Sequence, residues 1–346
     1  MATIVLCGGG TAGHVTPNLS LIKELKKKFD KIIYIGSGID LEKELVKPYG
    51  IEYYAINCVK FIRKFTFKNL YIPFKLLKSI KEAKELLESL KPDVIFSKGG
   101  YVALPVVKAG YKLKIPIVIH ESDLKLGLTN KLCLKNADYV CTSFFETAQL
   151  VKNKGVFTGP PIQEKFLQIT NNIKIFNNNN KTLLVLGGSQ GSQFFNKLIS
   201  ENVESLTETY NIILLSGKKN EVKISNPNVI VYQFSDDLPN LINSCSVVLT
   251  RGGSNSLFEI SVLKKPMLVV PLPKSQSRGD QIDNAEIFKN KKLATICEQK
   301  SLNGNNLIKL MDETIINYKP KAVILAGNKK IIETILKAFK RTETLK

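Results

Sequence analysis

The sequence contains few of the residues that mark specialised protein classes. It has no tryptophan, two histidines and six cysteines in 346 residues. The cysteines are scattered without a Cys-x-x-Cys pair, which disfavours a disulfide framework or zinc site and predicts reduced thiols in a cytoplasmic protein. No apolar run approaches the ~18 residues that cross a bilayer, and the residues after Met1 lack a signal-peptide pattern. Membrane-spanning and secreted classes are therefore disfavoured.

Basic residues are abundant. Lys and Arg total 50 against 30 Asp and Glu, a formal net charge of +20. Such a charge suits nucleic acid, an anionic membrane face or a phosphorylated substrate, while AT-rich coding would give the same excess of lysine without a functional cause. The length and the 44% hydrophobic content indicate a globular chain of about two domains.

Short β-branched runs alternate with longer amphipathic stretches, which predicts parallel sheets covered by helices. Helices are expected notably at Pro17–Lys28 and Leu76–Leu90. The predicted strands of the first half are Thr3–Cys7, Lys31–Gly36, Asp93–Ser97, Pro116–His120 and Tyr139–Thr142. Those of the second half are Thr182–Leu186, Ile212–Ser216, Val229–Phe234, Val247–Thr250 and Met267–Pro271.

Both halves open with a strand, a glycine turn and a helix, the turns lying at residues 8–13 and 187–192. This repeat predicts an α/β chain with two Rossmann-like, doubly wound domains facing across a cleft. The expected divisions are an N-terminal domain (1–163), a linker (164–181), a C-terminal domain (182–328) and a final helix (329–346) that would pack back on the N-terminal domain.

The first glycine turn leads to a histidine. Glycines let backbone N–H groups approach a phosphate, although such turns are also purely structural in many sheets. Thr16 is the expected N-cap and Pro17 the expected first-turn residue, so the helix should begin just after His14. The imidazole then either orients an acceptor and moves a proton, or is a hydrogen-bonded loop residue.

Other polar side chains follow later strands. Glu121 and Asp123 alternate in direction after a strand end, so one is expected to face a ligand while the other supports the loop. Glu259 lies about one turn inside a helix and can accept two hydrogen bonds from a ribose diol. Gln281 and Asn284 either contact sugar hydroxyls or belong to a surface loop.

These segments together resemble the MurG family of peptidoglycan N-acetylglucosaminyltransferases, which have the GT-B fold. The motifs that carry the resemblance are GGTAGH at 9–14, GGYV at 99–102, HE at 120–121, GGSQG at 187–191, RGG at 251–253 with Glu259, and DQ at 280–281 with Asn284. They occur in the family's order from residue 4 to about residue 290. The resemblance implies transfer of N-acetylglucosamine from UDP-GlcNAc to the C4 hydroxyl of the muramoyl sugar of lipid I, giving lipid II with inversion.

The resemblance also implies roles for individual residues. It places His14 on the acceptor side and gives UDP-GlcNAc to the C-terminal domain. The resemblance does not settle the general base, for which His14 is the candidate. Loop N–H groups and helix dipoles would stabilise the leaving UDP, so neither a metal nor another cofactor is expected. The substrate-binding residues that it implies are Thr11, Ala12, Gly13, Asp123, Gln163, Ser189, Ser254, Asn255, Ser256, Glu259, Gln281 and Asn284.

Two of these positions depart from the family's usual pattern. Gln163 stands where arginine is common, which removes a cationic contact. Asp123 stands where the family usually has asparagine, so the donor contact of that asparagine is not carried over directly.

A basic and aromatic segment extends from Lys60 to Lys81 and contains no acidic residue. Apolar side chains flanked by cations suit an anionic membrane surface, where each cation contributes ~1 kcal/mol. The residues expected to dock there are Arg63, Lys64, Phe65, Phe67, Lys68 and Lys75. Since lipid I stays in the bilayer, the protein is expected at the inner face of the bacterial membrane. The alternative is a solvated helix whose apolar side is ordinary core.

Two other functions are compatible with these sequence features. One is a GT-B transferase acting on another lipid acceptor such as diacylglycerol, and another is a non-catalytic nucleotide- or RNA-binding protein. No RNA-binding motif accompanies the basic charge, so nucleic acid is not an expected partner. A dinucleotide oxidoreductase is disfavoured because Asp40 and Glu42, the acids considered for a ribose contact, lie farther than the usual ~20 residues from the first glycine turn.

Overall fold

The computed structural model describes residues 1–58, 71–169, 173–188, 190–218, 220–320 and 324–343. The chain divides into two compact units. The first unit comprises Met1–Gln163 and the described residues from Ala326 onward, and the second comprises the described residues of Glu164–Leu325. Each unit is built on one parallel sheet.

The first unit has a parallel sheet whose strands come from its first 157 residues. The strands are β1 (Thr3–Cys7), β2 (Lys31–Gly36), β3 (Glu52–Ala55), β4 (Val94–Ser97), β5 (Ile117–Glu121), β6 (Tyr139–Thr142) and β7 (Gly155–Phe157). Within the described residues they form a seven-stranded sheet in the order β3-β2-β1-β4-β5-β6-β7. The order reverses between β1 and β4, which is where doubly wound sheets bind ligands.

Helices cover both faces of this sheet. Val5 and Cys7 of β1 belong to one buried cluster, and Ile4 and Leu6 to the other. Because successive side chains of a strand point to opposite faces, this alternation means that neither face is open to water. The helices are α1 (Ala12–Leu19), α2 (Ile22–Leu25), α3 (Asp40–Val46), α4 (Ile72–Leu90), α5 (Ala103–Lys112), α6 (Leu128–Cys133), α7 (Phe145–Leu150) and α14 (Asn328–Glu343).

The last helix, α14, packs on the first unit although it follows the second unit in sequence. Ile331 and Ile335 are fully buried in the same cluster as Leu6. At the start of the helix, the Asn328 side chain accepts from the Ile162 N–H at 2.9 Å and donates to the Ile162 carbonyl at 2.9 Å. The helix is thus fixed by apolar burial along its length and by paired hydrogen bonds at its first residue.

The second unit repeats the architecture. Its strands are β8 (Lys181–Leu186), β9 (Tyr210–Leu215), β10 (Val229–Tyr232), β11 (Val247–Thr250), β12 (Met267–Val269) and β13 (Ala294–Ile296). Among the described residues they form a six-stranded parallel sheet in the order β10-β9-β8-β11-β12-β13. The helices are α8 (Gln193–Glu201), α9 (Val203–Thr207), α10 (Leu238–Ser244), α11 (Ser254–Val262), α12 (Asp280–Asn290) and α13 (Gly304–Asn317).

The predicted strands are all present, with bounds shifted by no more than two residues. Three strands at sheet edges, β3, β7 and β13, were not predicted from the sequence. These strands are short and half exposed, so they lack the continuous apolar run that marks a central strand. The prediction of two Rossmann-like, parallel-sheet domains is confirmed.

The predicted start of the first helix is wrong. The helix α1 begins at Ala12 and contains Pro17 in its interior, and its N-cap is Thr11 rather than Thr16. Gly10 has a left-handed φ of 91°, which turns the chain so that Thr11 is extended and Ala12 already helical. The hydroxyl of Thr16 instead donates to the Ala12 carbonyl at 2.9 Å. His14 therefore lies in the first turn of the helix.

No helix in the described part of the chain is long and apolar enough to cross a membrane.

Candidate functional site

The carboxyl ends of β1, β4 and β5 lie side by side in the first sheet, because these strands are neighbours and parallel. The loops after them therefore share one edge. Lys98 and Asp123 lie in these loops, and His14 lies in the first turn of α1, directly after the loop that follows β1. This edge is the candidate site of the first unit.

The first glycine turn is built around a buried carboxylate, Glu42 of α3. Its oxygens accept from the Gly10 N–H at 2.7 Å, from the N–H and hydroxyl of Ser37 at 2.6 and 2.7 Å, and from the Tyr53 hydroxyl at 2.9 Å. A side chain at Gly9 would collide with this carboxylate. The Gly10 amide is thus already bound to a protein anion, and a ligand phosphate in this unit would need other donors.

His14 is half buried in the first turn of α1. Its Nδ1 lies 3.0 Å from the Thr11 hydroxyl. Burial and the nearby Lys98 charge lower the pKa of His14 to about 4, although Asp123 and Glu42 act in the opposite direction. The ring is therefore neutral at pH 7 and able to accept a proton.

Of the two carboxylates at the end of β5, Glu121, the last residue of the strand, is the structural one. It is 5% exposed and accepts from the N–H groups of Asp123 at 3.0 Å and Gly127 at 2.8 Å. The side chain of Asn130 donates to it at 2.9 Å. These bonds make the buried Glu121 carboxylate part of the structure of the loop, while Asp123 is half buried and its charge acts on His14.

In the second unit, the glycine turn after β8 uses two left-handed residues, Gly188 and Gly191, with φ of 85° and 75°. Its end is fixed by Ser192, the N-cap of α8, whose hydroxyl accepts from Arg251 at 2.7 Å. The guanidinium of Arg251 also donates to the Val270 carbonyl at 3.0 Å, so it joins the loops after three strands. Burial lowers the pKa of Arg251 only to about 10, and it stays charged.

The helix α11 brings several predicted residues to one end of the second sheet. Its N-cap, Gly253, has no side chain to satisfy the first amides of the helix. Ser254 is buried there, while Asn255 and Ser256 are half buried. A helix start of this kind favours an anion such as a diphosphate.

Glu259 lies farther along α11 and is half buried. Loss of hydration raises the pKa of its carboxyl to about 7, with the Lys165 charge acting in the opposite direction. Near neutral pH both protonation states of Glu259 are thus populated. The protonated carboxyl can donate a hydrogen bond, and the ionised carboxylate can accept two.

The amides at the start of α12 pack against the loop before α11. Asn284 is 1% exposed and donates to the Gly252 carbonyl at 3.2 Å. The side-chain oxygen of Gln281 accepts from the Leu272 N–H at 2.9 Å. Both residues therefore shape the loops beside α11, and the surface-loop alternative does not describe the buried Asn284.

The remaining predicted positions include Thr11, Ala12 and Gly13, which lie beside His14 at the start of α1. Gln163 is half buried at the end of the first unit. Lys75 is exposed on α4. In the described part of the chain, no group of three or more His, Cys, Asp or Glu residues could hold a metal ion. The predicted residues that lie outside the described residues are Ser189, Arg63, Lys64, Phe65, Phe67 and Lys68.

Comparison with known proteins assigns the family. The profile of the glycosyltransferase family 28 N-terminal domain matches residues 4–142, and that of the family 28 C-terminal domain matches residues 182–338. A Clostridium botulinum protein named UDP-N-acetylglucosamine--N-acetylmuramyl-(pentapeptide) pyrophosphoryl-undecaprenol N-acetylglucosamine transferase is 43% identical, covering 97% of this chain and 98% of that relative. The chain belongs to glycosyltransferase family 28.

Other comparisons agree with this family 28 assignment. A Clostridium tetani protein of the same name is 43% identical over 86% of both chains. The crystal structure of Acinetobacter baumannii MurG has the same fold, with a TM-score of 0.73 and 23% identity, over 97% of this chain and 100% of that one. The family 28 chain is thus a glycosyltransferase with the two parallel-sheet domains of the GT-B enzymes, as the sequence resemblance implied.

Sequence reasoning missed Glu42 and Lys98. Glu42 resembles any helix-surface glutamate in the sequence, and its contact with Gly10 spans 32 residues. Lys98 does leave a signal, since it follows the end of a predicted strand and precedes two glycines. A lysine at a strand end beside a glycine turn is a feature that can be searched for directly.

Proposed function

We propose that the protein is an inverting glycosyltransferase that moves N-acetylglucosamine from UDP-GlcNAc to the C4 hydroxyl of the muramoyl sugar of lipid I, forming lipid II. The observation that carries this proposal is the 43% identity, over nearly the full length of both chains, to a relative named for this transfer. The neutral imidazole in the first unit and the anion-favouring helix start in the second are supporting features.

The second unit is the proposed donor-binding unit. In the proposal, Ser254, Asn255 and Ser256 hold the diphosphate at the start of α11, and Glu259 accepts hydrogen bonds from the uridine ribose. Ser189, Gln281 and Asn284 contribute to the same donor, through the diphosphate and the sugar hydroxyls. Gly253 supports this assignment, since it leaves the first turn of α11 without a side-chain cap.

The first unit is the proposed acceptor unit, with His14 as general base. The acceptor C4 oxygen bonds to C1 of the sugar while the C1–O bond to UDP breaks, and the leaving diphosphate keeps the electron pair. The proton of the acceptor hydroxyl passes to Nε2 of His14, since Nδ1 faces Thr11. The resulting imidazolium is favoured by Asp123 and Glu42. Thr11, Ala12, Gly13, Asp123 and Gln163 complete the proposed substrate contacts.

Lipid I requires a membrane, and we propose that the protein binds the inner face of the bacterial membrane peripherally. The first turns of α4 support this. Tyr71, Phe74 and Leu77 are 65%, 73% and 61% exposed, with the exposed Lys75 and Lys78 beside them. Leu76 and Ile80 pack inward, so ordinary core packing explains only one side of this helix. Phe74 and Leu77 with these lysines form an apolar, cationic surface.

The decisive experiment is transfer of labelled N-acetylglucosamine from UDP-GlcNAc to lipid I by the purified protein, with diacylglycerol as a parallel acceptor. We expect product only with lipid I. Transfer to diacylglycerol alone would favour the other lipid transferase, and no transfer with either acceptor would overturn the proposal.

The role of His14 is tested in the same assay. Substitution His14→Ala should lower kcat by at least ~100-fold, the scale of general-base catalysis, and leave the Kd for UDP-GlcNAc unchanged. Equal kcat in the variant and parent would remove His14 from the mechanism.

A further inference from the structure

Lys98 is a buried cation that the proposed reaction does not use. It follows β4, is 3% exposed and donates its backbone N–H to the Cys7 carbonyl at 2.9 Å. Its ammonium donates a hydrogen bond to the hydroxyl of Ser122, in the loop after β5. A buried ammonium carries a large desolvation cost, so a residue of this kind needs a compensating interaction.

The surroundings of Lys98 include the proposed base. Gly8 lies between the two residues: a Cβ there would be 2.9 Å from the His14 carbonyl and 3.4 Å from the Cβ of Lys98. On the opposite side, Ser122 stands directly between Glu121 and Asp123 in the chain. Lys98 thus bonds to the loop that carries Asp123 and lies across Gly8 from the start of α1.

Burial and the nearby acidic groups act on Lys98 in opposite directions. Burial lowers the pKa of its ammonium to about 8, against the opposing effects of Glu121, Asp123 and the Cys141 thiol. Its charge in turn lowers the pKa of both histidines. At pH 7 it is thus mostly protonated and is a fixed positive charge beside a neutral imidazole.

We propose that Lys98 is a positioning residue for glycosyl transfer: its ammonium anchors the segment Ser122–Asp123 at the strand ends beside His14. This inference rests on the proposed function, since it gives His14 and Asp123 the roles assigned there. Lys98 acts through these neighbours and does not itself contact a reacting atom.

The charge effect can be measured without activity. The chain has two histidines, so imidazole NMR signals can be assigned with one His14→Gln variant. We expect the titration midpoint of His14 to rise by at least ~0.5 pH units in Lys98→Met and to stay within ~0.2 units of the parent in Lys98→Arg. Lys112→Met, which removes an exposed lysine of α5, is the control and should leave the midpoint unchanged.

The anchoring effect is measured by kinetics. Both Lys98→Met and Ser122→Ala should lower kcat by ~10-fold or more, with KM for UDP-GlcNAc within ~2-fold, because the proposed donor site lies in the second unit. Ser122→Ala keeps the buried cation, so it also tests the anchor if Lys98→Met does not fold.

The outcomes separate the two proposals. An unchanged His14 midpoint in Lys98→Met, or an unchanged kcat in Ser122→Ala, overturns the role of Lys98. If the parent transfers nothing to lipid I, the proposed function fails instead. The histidine titration still decides whether the charge of Lys98 acts on the pKa of His14.

Discussion

Burial drives the His14 imidazole and the Glu259 carboxyl in the same chemical direction, toward the uncharged form. For His14 this yields a base that is free of its proton at neutral pH. For Glu259 it yields a group whose ionisation can be controlled by a ligand. In each case the surrounding charges modify the effect of burial, and they do so from residues distant in sequence.

Glu259 gives a pH-dependent prediction. Ribose hydroxyls donate to the ionised carboxylate, so binding of UDP-GlcNAc should lower its pKa from about 7 and release a proton. Affinity should therefore rise with pH up to about 7 and level off above it, with Kd at pH 8 ~10-fold lower than at pH 6. Isothermal titration calorimetry in buffers of different ionisation enthalpy measures both the Kd and the released proton.

The matched variants make this test specific. Glu259→Gln should bind more weakly at pH 8 and show no dependence of Kd on pH between 6 and 8. Glu286→Gln changes an exposed glutamate of α12 and should behave as the parent. A parent Kd that is flat across this range would exclude the ribose contact.

At the scale of elements, the turn between β1 and α1 depends on a third element, α3. Glu42 of α3 replaces the ligand anion that a glycine turn often binds, through its bond to Gly10. The same carboxylate holds Ser37 after β2 and Tyr53 of β3. One side chain thus sets the geometry of three neighbouring strand ends, where the proposed base is located.

Loss of the Glu42 carboxylate should loosen this edge of the sheet. We expect Glu42→Ala to lower the opening free energy of the β1–β2 region by ~3 kcal/mol, since it leaves several polar groups without their charged acceptor. Hydrogen exchange measured by mass spectrometry reports this region, and peptides of the second unit serve as an internal reference.

Glu44→Ala is the control for that change, because Glu44 is an exposed glutamate on the same helix. Its effect should stay within ~0.5 kcal/mol. If Glu42→Ala and Glu44→Ala give the same exchange rates, the carboxylate network does not stabilise the glycine turn.

For the whole molecule, the net charge of +20 provides long-range attraction to anionic surfaces. Charge alone does not specify where the protein binds. The start of α4 adds exposed apolar side chains to the cations, whereas its later turns pair lysines with acids, as in Lys81–Glu85 and Lys84–Glu88. Within the described residues of α4, the proposed membrane surface is therefore limited to the first turns.

Vesicle binding tests this surface. The double variant Phe74→Ser and Leu77→Ser should bind vesicles of equal parts phosphatidylglycerol and phosphatidylcholine at least ~10-fold more weakly, because each buried apolar side chain contributes about 1.5–3 kcal/mol. Ile316→Ser removes a side chain that is 70% exposed on α13 and should have no effect. Equal binding of the double variant and the parent in cosedimentation would place the docking surface elsewhere.

The sequence by itself determined the central strands, the glycine turns and the family. Apolar periodicity is local, so β1 and β11 were predicted with the bounds that the structure shows. The motifs beside them are contiguous and can be matched without coordinates. Edge strands such as β3 were not predicted, because a half-exposed strand has no distinctive apolar pattern.

Only the tertiary structure decided which polar side chains are structural. Glu121 and Asp123 are equivalent in sequence, and the bonds to Gly127 and Asn130 distinguish them. The bond of Lys98 to Ser122 spans 24 residues. Hydration and charge depend on groups that folding brings together across such distances, so pKa shifts and buried networks cannot be inferred from neighbouring residues in the chain.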